Sequence, residues 1–115
     1  MLQRANRFHG YNSLNDVYRN GSTVRANELS IRYKVNSKRT EYRVAVVVSK
    51  KVSKSAVVRN RIRRRVFEVV RQQNTVITKP FDIVISIHSD SIANMSAPQL
   101  NELLTTQLRR AKITA

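Results

Sequence analysis

The 115-residue chain has no cysteine and no tryptophan, and only two glycines, two prolines and seven acidic residues. Without cysteine there can be no disulfide, thiol nucleophile or cysteine-based zinc finger, and a reducing, cytoplasmic setting is expected. Gly10 and Gly21 fit neither a Walker nor a Rossmann phosphate loop. The carboxylates Asp16, Glu28, Glu41, Glu68, Asp82, Asp90 and Glu102 are scattered singly, a poor basis for a two-metal nuclease. His9 and His88 lack metal-ligand spacing. Neither a metal site nor a catalytic group of the protein's own is expected. No stretch approaches the roughly 18 uncharged apolar residues of a membrane span. The first 11 residues carry Arg4 and Arg7 without an apolar signal region, so neither export nor a membrane is expected.

What the chain has in excess is positive charge. Lysine and arginine number 22, for a formal net charge of +15, which opposes compaction and makes a polyanion the natural partner. Nucleic acid comes first and an anionic membrane surface second. A hydrophobic content of 41% is too high for a basic disordered tail, and the length suits one domain spanning 1–115. Residues 1–72 hold 18 basic and 4 acidic side chains, against 4 and 3 in residues 73–115. The binding surface is therefore expected in the first two-thirds.

The apolar pattern predicts an α+β sandwich. Ser13 and Asp16 suggest a capping box for a short first helix, with Gly21 as its left-handed stop. Leu29, Ile31, Tyr33 and Val35 alternate with polar residues, as do Tyr42, Val44, Val46 and Val48 with Arg43, Ala45 and Val47, giving two strands expected to pair as an antiparallel hairpin. Ser55 is positioned to cap a long helix running to about Asn74, with Val58, Ile62, Val66, Val69 and Val70 on its inner stripe. Pro80 opens a third strand containing Phe81, Ile83, Ile85 and Ile87, and Asp82 is expected at a strand edge near solvent or RNA. Ser96, Pro98 and Gln99 start a last helix whose stripe is Leu100, Leu103, Leu104, Leu108 and Ala111. A parallel βαβ unit would by default cross over right-handed.

Between residues 50 and 65 lie eight cations and no carboxylate: Lys50, Lys51, Lys54, Arg59, Arg61, Arg63, Arg64 and Arg65. Like charges four apart weaken a helix by a few tenths of a kcal/mol each, so such density points to selection for binding rather than stability. Arginine presents a planar fork to phosphate oxygens or base edges, and Asn60 can both donate and accept. A structural ribosomal RNA-binding protein or a duplex-DNA module would also use such a helix.

Val48, Ser49, Lys50, Lys51 and Val52, followed by Arg59, Asn60, Arg61, Ile62, Arg63 and Arg64, closely resemble the hallmark segment of the bacterial ribonuclease P protein subunit. The likeness extends to residues 16–21 and 81–85, and covers essentially the whole chain. It implies an αβββαβα domain, related to domains of ribosomal proteins and translation factors, with a left-handed βαβ crossover and a further short strand near residues 23–27. It also implies one protein bound to each catalytic RNA subunit, magnesium held mainly by that RNA, and removal of the 5′ leader from precursor tRNA. Arg59, Asn60, Arg61, Arg64 and Arg65 then match the RNA-facing helix, with Arg63 beside them, and Lys50, Lys51 and Lys54 extend that surface. A cleft for the single-stranded leader would involve Leu14 and Tyr18, with a strand position falling on Arg32 or Tyr33. Many members carry a glycine, and one residue fewer, in the stretch 52–56.

Overall fold

The computed structural model describes residues 11–73 and 75–114. Arg4, Arg7, His9, Gly10 and Asn74, the expected end of the long helix, lie outside them. Helix α1 (Tyr11–Asn20) leads into strands β1 (Ser22–Arg25), β2 (Leu29–Val35) and β3 (Arg43–Val47). Helix α2 (Ala56–Gln72), strand β4 (Phe81–Ile87), a 3-10 turn (Asp90–Ala93) and helix α3 (Ala97–Arg110) complete the αβββαβα order.

The four strands form one sheet in the order β1-β2-β4-β3. β2 pairs antiparallel with both β1 and β4, while β3 runs parallel to β4. The expected β2–β3 hairpin is therefore not formed: β4 inserts between them, and β3, α2 and β4 make a βαβ unit. The reason is packing. β4 contributes Phe81, Ile83, Val84, Ile85 and Ile87, all buried, and a strand apolar on both sides gains most from the centre of the sheet.

One face of the sheet carries the main core. Leu29 and Ile31, Val44 and Val46, and Ile83, Ile85 and Ile87 meet Ile62, Val66, Val69 and Val70 of α2 and Leu100, Leu104 and Leu108 of α3. The opposite face is only partly covered, by α1, whose Val17 packs on Val84 with Leu14 and Ala45 around them. Strand alternation therefore sorts β2 cleanly. Leu29, Ile31 and Tyr33 face the main core, and Ser30, Arg32 and Lys34 face α1.

Local signals behave as expected at the starts of α2 and α3 and differently at both ends of α1. Ser55 Oγ accepts from the Val58 amide at 3.3 Å, and Ser96 with Gln99 closes a reciprocal capping box before α3. The chain between β3 and α2 turns without glycine: the Val52 amide donates to Ser49 O at 3.1 Å, and the Val52 side chain packs against the core. α1 already begins at Tyr11, which puts Ser13 inside the helix rather than at its cap. Gly21 ends α1 without a left-handed backbone; its amide donates to Val17 O at 2.9 Å, and a Cβ there would sit 2.5 Å from Val17 O and 2.9 Å from Tyr33 O. Close approach, not φ, is what requires glycine.

α3 ends differently again. The Lys112 amide donates to Arg109 O at 2.9 Å and the Ile113 amide to Leu108 O at 3.0 Å, the paired bonds of a Schellman motif. Lys112 occupies its left-handed position at φ 60°, a conformation that costs a non-glycine residue about 1 kcal/mol.

Candidate nucleic-acid interface

With Ile62, Val66, Val69 and Val70 buried, the helical period turns the other side of α2 to solvent. Asn60, Arg61 and Arg64 are exposed there, and Lys50, Lys51 and Lys54 are exposed in the segment leading to the helix. Among the described residues, no protein group bonds the side chains of Lys50, Lys51, Lys54, Arg61 or Arg64. Five cations are thus left to an external anion.

The other three arginines of this segment have work inside the protein. Arg59 Nη1 donates to Ser53 O at 2.9 Å, bracing the turn before the helix. Arg63 Nη1 donates to Asn60 Oδ1 at 2.7 Å, which occupies the acceptor of that amide and leaves its NH2 group to face outward. Arg65 is half-buried; it donates to Ile92 O at 2.6 Å and also to Met95 O, so its fork clamps the 3-10 turn onto α2. Its matching position in the sequence pattern does not make it part of the free cationic face. Arg71, farther along the helix, pairs with Glu68 at 2.5 Å, and that guanidinium pulls the Glu68 carboxyl down to about 2.

A second surface lies where α1 leaves its face of the sheet uncovered. Tyr18 is 37% exposed, with the Arg32 guanidinium carbon 5.3 Å from its ring centroid. Arg32 Nη1 also donates to Tyr18 O at 2.8 Å. A stacked tyrosine and guanidinium present two planar faces of the kind on which bases stack. Leu14 is half-buried at the root of this wall. Tyr33 does not join it. Its ring meets Phe81 edge-on at 6.2 Å and 72° on the main-core face, one residue out of phase with Arg32.

Register extends the same face beyond the sequence reading. Ser30 lies opposite Ser86, which in turn pairs with Val47, and His88 Nε2 is 3.0 Å from Ser30 Oγ. The polar side of β2 was visible in its alternation, but its neighbours across the sheet required the strand order. The opposite end of this face is closed by charge pairs. Lys34 meets Asp16 at 2.7 Å and, with Asn20, holds the Asp16 carboxyl below its usual range. Arg43 grips Asp82 through two bonds of 2.8 Å, and Asn36 adds a third at 3.0 Å. Asp82 is thus buried on the central strand rather than exposed at an edge.

Among the described residues, no three His, Asp or Glu side chains gather as metal ligands. Asp16, Glu68 and Asp82 each already face a cation. This donor set does not suit magnesium. No helix among them is long and apolar enough to cross a membrane.

A cationic helix face without carboxylate partners among the described residues, beside a partly open sheet face with an aromatic wall, has the charge and planar groups that suit nucleic acid. Comparison with known proteins identifies the kind. The sequence profile of the family described as Ribonuclease P matches residues 2–112. The chain belongs to the ribonuclease P protein family. The ribonuclease P protein component of Pseudanabaena sp. is 34% identical, with 98% of this chain and 97% of that one covered. The component from Roseiflexus castenholzii is 36% identical over 97% and 90%. The solved RNase P protein of Staphylococcus aureus shares the fold with a TM-score of 0.86 at 24% identity, covering 97% of this chain and 100% of that one. Membership in the ribonuclease P family connects the chain with a tRNA-processing ribonucleoprotein and implies its RNA as partner.

Proposed function

We propose that this chain is the protein subunit of ribonuclease P, docking through α2 on the catalytic RNA and holding the 5′ leader of precursor tRNA along the α1 face of the sheet. The observation that carries the reading is the stripe of Asn60, Arg61 and Arg64, continued by Lys50, Lys51 and Lys54, exposed on a chain whose family match runs almost end to end. Phosphate contacts of this kind fix orientation on a folded RNA. The Tyr18 and Arg32 planes suit unpaired leader bases, and gripping them adds substrate binding at a distance from the scissile phosphate. Hydrolysis is assigned to the RNA with magnesium bound there, one protein per RNA: among the described residues Asp16, Glu68 and Asp82 face the protein's own cations, and no three His, Asp or Glu side chains gather as metal ligands. The cytoplasm is the compartment this reading requires.

The test is cleavage of precursor tRNA by a bacterial ribonuclease P RNA at low magnesium. Added protein should stimulate leader removal; no stimulation overturns the reading. Arg61→Ala or Arg64→Ala should weaken binding to the RNA by roughly 1 to 3 kcal/mol. Tyr18→Ala should impair substrates with long leaders more than those with very short ones, whereas equal loss would make Tyr18 a packing residue.

A further inference from the structure

A second cationic surface lies at the opposite end of α2. β3 runs toward Lys50 and Lys51, and α2 then carries the chain back over about 25 Å, at 1.5 Å per residue. The loop before β4 therefore lies at the far end of the sheet, beside Arg43 and Phe81. An open cavity of about 690 Å3 is found there. Lys79 enters it from the loop, and Arg109 and Lys112 from the end of α3. Thr75, Thr78 and Thr114 add hydroxyls, and among the described residues no carboxylate lines it. Among the described residues, none of the three cationic side chains has a hydrogen-bond or ion-pair partner.

Arginine and lysine at a helix C-terminus compensate its dipole, but that does not account for the arrangement. Lys79 is on a loop, not on the helix. Lys112 is held at φ 60°, where glycine would end the helix with less strain. A lysine in a disfavoured conformation, lining one cavity with two further cations that are unpartnered among the described residues, is the pattern of a binding site. The cations and hydroxyls match the charge and acceptor oxygens of a phosphate group. Val76, 42% exposed, provides apolar surface for the attached sugar or base. The volume suits a ligand of about nucleotide size.

We propose that this cavity is a second RNA site, holding a phosphodiester of a single-stranded segment of the same RNA, apart from the part docked on α2. It rests on the reading of the chain as an RNA-binding subunit. The experiment measures binding of the full chain to ribonuclease P RNA across a salt series, for wild type, Lys79→Gln/Arg109→Gln, Lys112→Gly and Arg61→Ala, with melting temperatures alongside. The double variant should bind several-fold more weakly, with the slope of log K against log salt shallower by about two. Lys112→Gly should melt higher yet bind more weakly, a combination that a purely structural role would not produce. Unchanged affinity and slope in both cavity variants, with loss in Arg61→Ala, overturns this site and leaves the α2 interface standing; no change in any variant overturns both. In a parallel titration followed by amide shifts, oligouridylate should perturb residues 75–79 and 112–114 at lower concentration than inorganic phosphate at equal ionic strength. The reverse order would make the cavity a free-phosphate site and overturn the RNA assignment.

Discussion

Gly21 carries a constraint that its residue type alone misstates. Glycine after a helix suggests a left-handed backbone, yet here it permits two carbonyls, Val17 O and Tyr33 O, to pack where a Cβ would be. Both obstacles are main chain and cannot swing aside. Gly21→Ala should therefore cost about 2 kcal/mol, in the range of overpacked interiors, measured by urea unfolding; a loss under about 0.5 kcal/mol would mean that the α1–β2 junction relaxes freely. Lys112 is the converse case, a left-handed position filled by a residue that no sequence rule would place there. Tyr42 is a core aromatic: burial, with the charge of Glu41 adding to it, pushes its phenol up to about 12. At this scale, caps such as Ser55 and Ser96 were legible because their chemistry is local. Arg65 was not, because its carbonyl partners lie 27 and 30 residues away.

Among the elements, periodicity identified the residues of β2, β3, β4, α2 and α3 but could not order the strands. Two alternating runs joined by a short polar turn suggest a hairpin, and only the two-sided burial of β4 reveals why it separates them. The same gap explains Tyr33. Alternation places Arg32 and Tyr33 on opposite faces, but which face holds α1 depends on packing that spans the chain. The parallel pairing has its own fastening, since Arg43 on β3 and Asp82 on β4 face each other in register and bond twice. Asp82→Ala would remove the buried carboxylate that the Arg43 guanidinium bonds twice, at a cost of about 3 kcal/mol. Native-state hydrogen exchange should find the β3 amides losing protection; unchanged protection in β3 would reduce the pair to a surface-like contact.

Taken whole, the molecule separates its burdens. Hydrophobic packing on one sheet face secures α2 from behind, which leaves Arg61 and Arg64 on its outer side unpaired among the described residues despite the mutual repulsion of a chain at +15. The charge asymmetry along the sequence pointed to that surface, but not to the cavity built from Lys79, Arg109 and Lys112, because those residues are far apart in the chain and few in a nearly neutral segment. If the five unpaired cations near the start of α2 each meet one phosphate of a duplex-like RNA, they alone should give log K a slope of about −4.5 against log salt. A slope shallower than about −2 would show most of them to be solvated in the complex.

The placement of β4 also bears on synthesis. A nascent chain delivers β2, β3 and the whole of α2 before the strand that must lie between the first two, so the valine-rich edges of an unfinished sheet and the arginines of α2 emerge from the ribosome together. Until Ile87 has cleared the exit tunnel, the sheet cannot close. A polyanion that met this chain early would therefore find its binding helix before the fold that orients it.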